Sequence, residues 1–471
     1  HAPPRQAPPL LSPMRSLFLL LSLALPCAGF AAPWPEFLGP NRDNSSPETG
    51  LRQALSPAGA PILWKVRVGT GYSAPSVWGN QVVLHHRLGN EEIVESFDAQ
   101  SGASQWKYAY PTQFIDPFGY NNGPRCSPLL TGEICYTLGA EGVLCALRQK
   151  DGSLLWRREL SRDFDVPEAF FGVGSSPILE DGRLLVMVGG QPNSGVVAFD
   201  AQSGKTLWQN GGANTWNGVP MTGWPGERLV EWNPADPAYQ KQASYCTPVL
   251  ATFHGKRHAL CVTRQGLLSL DPATGERRFA YWFRARQDSS VNAMTPVVQG
   301  DCILLSSAYF KNGSVLLRVA PDGNSVEPVW RGLQLEMHWA RPILHQNHLF
   351  AFSGRNEPDA RFRCVDWTSG QIRWDREEGW PNGGHAKLRP GEKPPDVFGR
   401  ASLLFADQSL VALGECGLLG LFAPDSEKLV EKGRWQVPGL QYPCWTGPVL
   451  SEKRLYLRDE SLLLCIDWKA P

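Results

Sequence analysis

Nine side chains stand just ahead of short apolar runs, most of which open on a proline. They are Tyr72 in "GYSAPSV", Arg125 in "PRCSPLL", Ser176 in "GSSPIL", Tyr245 in "SYCTPVL", Asn292 in "VNAMTPVV", His338 and Arg341 in "MHWARPIL", Arg400 in "FGRASLL" and Trp445 in "CWTGPVL". Three arginines, one histidine and several aromatic rings in one place would suit an anionic or carbohydrate-like ligand. A guanidinium fork matches an oxyanion, and aromatic faces hold cations or flat apolar groups. The same groups have a plainer use, bonding to neighbouring segments and to water as buried polar groups must.

Other reactive residue types form no catalytic pattern. After Cys27 come Cys126, Cys135, Cys145, Cys246, Cys261, Cys302, Cys364, Cys416, Cys444 and Cys465. No two are adjacent and no CxxC occurs, so zinc and dithiol signatures are missing. Disulfides between neighbouring strands stay open, with a pairing that sequence does not give. His85–His86 reads as a strand pair, because adjacent strand residues point to opposite faces. Glu91–Glu92 and Glu377–Glu378 read as solvated loop charges. There is no nucleophile motif, no phosphate-binding loop and no metal-ligand set.

The elements that would position the nine residues are visible as a repeat. "VESFDAQSGASQW" at Val94–Trp106 returns as "VVAFDAQSGKTLW" at Val196–Trp208. The aromatic ending recurs as Trp64, Trp106, Trp156, Trp208, Phe279, Trp330, Trp374 and Trp435. Four residues before it stands Gly102, Gly152, Gly204, Gly275 or Gly370, and four earlier again Asp98, Asp200, Asp271 or Asp366. Asp bonds backbone two residues on, Gly accepts the positive φ that closes the turn, and the aromatic then projects from the next strand. These aromatics are expected to dock each unit on its neighbour.

Each unit begins at the pre-proline phrase, with the Ser402 phrase a copy lacking the proline. Two alternating runs separate beginning from end, so four short antiparallel strands per unit follow. The first aromatic, Trp64, precedes the first beginning, and the last beginning, Pro448, has no aromatic ending. A ring solves this: the strand around Trp64 completes the unit begun at Pro448. The expected fold is an all-β, eight-bladed propeller over 62–469, with seven blades as the alternative, preceded by an arm at 32–61. A ring leaves only short protected edges.

Composition agrees. Among 471 residues, 47 Gly, 40 Pro and 18 Trp favour many short strands and turns over long helices. Basic and acidic residues balance at 45 each, which speaks against a nucleic-acid partner. Residues 1–31 read as a Pro-rich upstream stretch followed, from Met14, by a secretory signal cleaved after Ala31. Its apolar core is short for a membrane span. Cys27 follows Pro26, a poor lipobox, so a periplasmic or secreted chain without a lipid anchor is expected.

The repeat resembles the pyrroloquinoline quinone (PQQ)-type propeller repeat of quinoprotein dehydrogenases and of the BamB family of outer-membrane barrel-assembly lipoproteins. It is most similar to exported bacterial PQQ-like repeat proteins. The carriers are "WPEFLGPNRDNSSPETGL", "GYSAPSV", "YTLGAEGVLCAL", "GSSPIL", "VNAMTPVV" and "CWTGPVLSEKRLYLRDESLLLCIDW". The resemblance implies a propeller fold and opens three roles. A quinoprotein would need PQQ, a calcium set of Glu, Asn and Asp, an Asp base and usually adjacent cysteines. This chain has no Cys-Cys pair, no CxxCH and no matching calcium motif. A binding or scaffold protein would use the loop-rich face, where long loops fall at 209–243 and 375–398, to hold a protein or glycan partner. A barrel-assembly accessory is the third role. The expected protein is a monomeric, non-enzymatic binding propeller, with the quinoprotein dehydrogenase of alcohols or sugars as alternative.

Overall fold

The computed structural model describes residues 32–168, 170–221, 233, 235, 240–285, 290–381 and 395–471. The signal segment lies outside these residues, as do 222–232, 234 and 236–239 of the 209–243 loop and 382–394 of the 375–398 loop. Within them the chain forms eight sheets, each a meander of four antiparallel strands. Blade 1 is Ser76–Trp78, Gln81–Leu88, Glu91–Asp98 and Ser104–Pro111. Blades 2 to 7 repeat this order and begin at Leu129, Ile178, Val249, Val297, Ile343 and Ser402. In blade 8 the strands Val449–Ser451, Arg454–Arg458 and Leu462–Asp467 are joined on the outside by Ile62–Arg67, so the chain's two ends close the ring.

The middle strands are buried on both faces. Val143–Arg148 and Arg183–Gly190 are buried at nearly every position, because each blade is sandwiched between two others. The outer strands, such as Leu154–Glu159, are half-buried or exposed.

The Asp–Gly–Trp spacing has a double cause. Asp98 accepts hydrogen bonds from the Gln100 and Ser101 backbone N–H groups at 3.0 and 2.9 Å, and Asp366 does the same for Thr368 and Ser369. The Ser101 hydroxyl and these amides at Asp98, and the Ser369 and Thr368 hydroxyls and these amides at Asp366, where they outweigh burial, hold both carboxyls below the usual Asp value. The Gly is required twice. Gly204 has φ +69°, and a Cβ there would fall 2.7 Å from the Trp156 ring of the preceding blade. Gly102 stands against Trp64 and Gly275 against Trp208 in the same way. Six of the indoles also donate to a carbonyl of the next blade's turn: Trp64 to Ala99, Trp106 to Gln149 and Trp156 to Ala201 at 3.0 Å, Trp208 to Pro272 at 3.1 Å, and Trp330 to Trp367 and Trp374 to Asp425 at 2.9 Å. Phe279 carries no N–H and packs among Phe253 and Tyr281. Trp435 packs on Gly59, just before the closing strand.

The arm ahead of that strand crosses the end of the channel that carries the Asp–Gly turns. Trp34 pairs with Val77 of blade 1, and the Pro35 carbonyl accepts from Leu130 of blade 2 at 2.7 Å. Arg42 donates to Leu179 of blade 3 at 3.1 Å. Ser45–Ser46 adds a parallel strand inside blade 7, and the Glu48 carboxylate caps the Glu452 and Lys453 amides of blade 8 at 2.8 and 2.7 Å.

All ten cysteines after Cys27 are free and buried, small residues of the core. Two of the acidic pairs depart from the solvated reading. Glu92 is 1% and Glu378 is 3% exposed. Glu92 accepts from the Tyr110 hydroxyl at 2.6 Å and the Ala140 amide at 3.0 Å, joining blade 1 to blade 2. Glu378 accepts from the Phe398 amide at 3.0 Å. Blade faces are interfaces, so a loop-edge charge can be buried there if it finds donors. His85 turns to Tyr110 at 3.1 Å and His86 to Glu95 at 3.1 Å, on opposite faces.

The joint between blades can be tested at two glycines of blade 3. Gly182 has φ +74° but open space around its Cβ direction, whereas Gly204 faces Trp156. Gly182→Ala is expected to cost about 1 kcal/mol for backbone strain alone, and Gly204→Ala about 2–4 kcal/mol because overpacking is added. Urea midpoints of the two variants read the difference, and equal losses would refute the docking role.

Candidate functional site

The other end of the channel, where the inter-blade connections and the middle-strand loops meet, opens into a cavity of about 270 Å³. Its wall shows a regularity. One lining residue comes from each blade, three places before the proline or its equivalent: Tyr72, Arg125, Gly174, Tyr245, Ala293, Trp339, Arg400 and Trp445. The pre-proline segment enters the innermost strand, so these positions ring the axis. Of the nine residues singled out from sequence, Tyr72, Arg125, Ser176, Tyr245, His338, Arg400 and Trp445 line the cavity together. Asn292 does not. Its buried amide donates to the Phe283 and Thr263 carbonyls at 2.9 and 3.0 Å and staples blade 4. Arg341 lies deeper and donates to Asp43 of the arm at 2.9 Å and Pro296 at 3.3 Å.

Several lining residues were not singled out. Phe37 comes from the arm and forms the floor. Tyr309, Arg355 and Glu357 come from loops between the two middle strands of blades 5 and 6. The offset of three before proline was a signal for Trp339. No sequence signal marks Phe37, because its place depends on where the arm is threaded.

Two cations of the mouth, Arg400 and Arg125, are paired with carboxylates of the mouth itself. Arg400, 6% exposed, donates to Glu415 and Glu357 at 2.7 Å each; those carboxylates are 0% and 2% exposed. Glu415 also accepts from the Trp445 indole, and Glu357 from the Tyr442 hydroxyl, both at 2.7 Å. Burial opposes the Arg400 charge, yet Glu415 and Glu357 outweigh it and raise its pKa. Arg125 pairs with Asp116 at 2.9 Å. Burial, and then Glu460, push the Tyr72 hydroxyl far above the usual range.

His338 is held neutral. Desolvation and the charges of Arg400 and Arg355 bring it down to about 3. Its Nδ1 lies 3.0 Å from an Arg400 N–H, which can only donate, so Nδ1 accepts. The ring proton therefore sits on Nε2 and is donated to the Tyr309 hydroxyl at 3.2 Å.

Aromatic rings complete the wall. Trp445 lies 5.3 Å from Trp339, 5.2 Å from Tyr72 and 6.0 Å from Tyr120. The Arg400 guanidinium covers the Trp339 ring at 4.7 Å. On the rim, Ile115, Phe118 and Tyr120 are 74%, 53% and 52% exposed.

The residues present do not fit the calcium that a quinoprotein would need. Calcium wants several free oxygen ligands converging, but Glu357 and Glu415 already converge on the Arg400 guanidinium. Among the described residues no group of three His, Cys, Asp or Glu could hold a metal ion.

A family model described as outer membrane protein assembly factor BamB matches residues 49–222 and 90–376. No curated protein matches the chain. Among solved structures, BamB from Moraxella catarrhalis is similar at TM-score 0.52 and 13% identity, covering 87% of this chain and 98% of that one. Quinohemoprotein alcohol dehydrogenase from Comamonas testosteroni gives 0.61 and 11%, with 93% and 81% covered. A europium-containing methanol dehydrogenase gives 0.59 and 12%, with 90% and 89% covered. At these identities the likeness is one of fold. No helix among the described residues is long and apolar enough to cross a membrane.

Two measurements probe the mouth. Arg400→Leu leaves Glu357 and Glu415 buried without their cation and is expected to cost about 3–5 kcal/mol. Thermal and urea unfolding check it; a loss under 1 kcal/mol would mean that water enters freely. His338 is neutral when folded down to about pH 3, while the unfolded chain takes up its proton below about pH 6.5. Its contribution is therefore complete above that value and is lost as pH falls. Between pH 6 and 4.5 the native protein should lose up to about 1.4 kcal/mol per pH unit relative to His338→Gln. A pH-independent difference would refute the neutral assignment.

Proposed function

This chain belongs to the family of outer membrane protein assembly factor BamB, and on that premise we propose that it is a non-enzymatic binding propeller. It holds a small ligand in the mouth cavity and presents the surrounding loop face to a protein or glycan partner. The observation that carries the reading is the internal matching of charge. Arg400 is engaged by Glu357 and Glu415, and Arg125 by Asp116. His338 is hydrogen-bonded through both nitrogens. Among the described residues no group of the mouth is poised as a free base or nucleophile, and an aromatic-lined concave cavity is suited to binding.

The exposed apolar rim at Ile115 and Phe118 supports a partner on the same face. The signal-like segment from Met14 supports export to a periplasm or beyond. The dehydrogenase reading has the fold likeness behind it, but among the described residues no group of three His, Cys, Asp or Glu could hold its metal ion.

Titration of PQQ with and without calcium decides between them. The binding-protein reading expects no calcium-dependent rise in melting temperature and no dye reduction with alcohols or sugars. A one-to-one, calcium-dependent complex that reduces dye would overturn it.

A further inference from the structure

At the end of the channel opposite the mouth, the start of the arm meets the first hairpin turn of blade 8. The Ala32 carbonyl accepts from the Ser451 hydroxyl at 2.8 Å. Next along that turn, the Glu452 and Lys453 amides donate to the Glu48 carboxylate at 2.8 and 2.7 Å. The Ala32 backbone nitrogen donates to the same carboxylate. Ala32 is 8% and Glu48 2% exposed. Three backbone nitrogens thus converge on one buried acid.

Glu48 differs from other buried acids of the chain. Glu357 and Glu415 have Arg400, and Glu95 has Lys107. Among the described residues no Lys, Arg or His side chain pairs with Glu48, and the charge that acts on it is the like charge of Glu452. Burial raises its carboxyl above the ordinary value in spite of the three amides. A buried charge is costly unless a counter-charge meets it.

The sequence holds such a counter-charge in latent form. The bond ahead of Ala32 is the one at which the signal-like segment from Met14 is expected to be cut. Water adds across that bond. Ala31 leaves with a carboxylate, and Ala32 keeps an amine that is protonated at neutral pH.

We infer that hydrolysis of the Ala31–Ala32 bond by a signal-cleaving endopeptidase creates an α-ammonium that pairs with Glu48 and fastens the arm to blade 8. This step rests on the export reading and is independent of what the mouth holds. The uncut chain has one neutral N–H at this point. The cut chain has a cation with three hydrogens, and charge-assisted bonds are the stronger ones. The arm also runs as a strand inside blade 7, so one ion pair at its start ties together the ends of the ring. A chain that still carries its signal lacks this fastening.

The test begins with the chain expressed from Met14 in an exporting bacterial host and sequenced from its N-terminus after recovery; Ala32 is expected first. Its urea unfolding is compared with that of a chain one residue longer, starting at Ala31, in which the ammonium is moved by about 3.8 Å along the backbone. The longer chain should have an unfolding equilibrium constant at least about tenfold larger. In Glu48→Gln the two lengths should differ less than about twofold. If Glu48→Gln does not fold, the pH dependence of α-amine acylation in the native Ala32 chain decides. Facing Glu48 and Glu452, the amine should titrate above its ordinary range of about 7.7–8.0. Equal stability of the two lengths, a length effect that persists in Glu48→Gln, or a midpoint within or below the ordinary range would overturn the pairing and leave export standing. A first residue other than Ala32, or an uncut chain, would overturn the pairing together with the expected cleavage, and neither result touches the binding reading of the mouth.

Discussion

The contact between a Trp of one blade and the Gly turn of the next is the constraint on which the rest depends. The ring is built of sheets too small to bury their own faces, so each must be covered by a neighbour at a set distance. The Trp supplies a large apolar face and one N–H, and the next turn supplies a carbonyl in reach of it. The glycine is necessary because a side chain would enter the indole. Backbone strain and packing thus ask for the same residue, and the motif recurs with little drift. Where the turn is stretched, as in "PDGNSVEPVW", the plug is Phe279 and the indole bond is missing.

Ring closure follows from the offset between beginnings and endings. The strand Ile62–Arg67 completes blade 8, and Trp64 then docks on blade 1 like every other plug. The arm that precedes it is threaded under the inner strands and shuts one end of the channel. What remains is a cup open at the other end, with Phe37 as its floor. Rigid blades below and loops above are a usual division between scaffold and recognition.

The electrostatics of the cup are arranged around Arg400. Taking Arg400 out of water is costly, and two buried carboxylates with two further donors offset that cost. Such a set is held by four hydrogen bonds, and its one cation and two carboxylates leave one formal negative charge in excess. Arg355 is different, since its partners are aromatic faces. The mouth therefore combines an aromatic wall, in which Arg400 and Arg125 meet carboxylates, with a side where, among the described residues, Arg355 stacks on rings. That asymmetry comes from residues of different blades and is a property of the assembled ring.

Much of the fold was legible in the sequence because a repeat makes each local rule visible several times. The Asp, Gly and Trp spacing shows the turn, the plug and the number of blades, and the unpaired first and last units show the closure. The pre-proline phrases also revealed most of the mouth, since the residue entering an innermost strand must face the axis. Other features waited on the tertiary structure. Glu92 and Glu378 looked like surface charges because sequence does not show that a blade face is an interface with waiting amides. Asn292 and Arg341 stand at the same offsets from the proline as His338 and Ser176, which line the cavity, yet Asn292 bonds back into blade 4 and Arg341 reaches the arm, so place in the phrase alone does not decide. Phe37, Arg355 and Glu415 reach the mouth from an arm and from middle-strand loops, where no period applies. Local repetition determined the ring, the turns and the plugs. Which side chains face the cavity, and which arginines meet a carboxylate, was decided only when distant blades met, because a hydrogen-bond partner is a matter of distance in space.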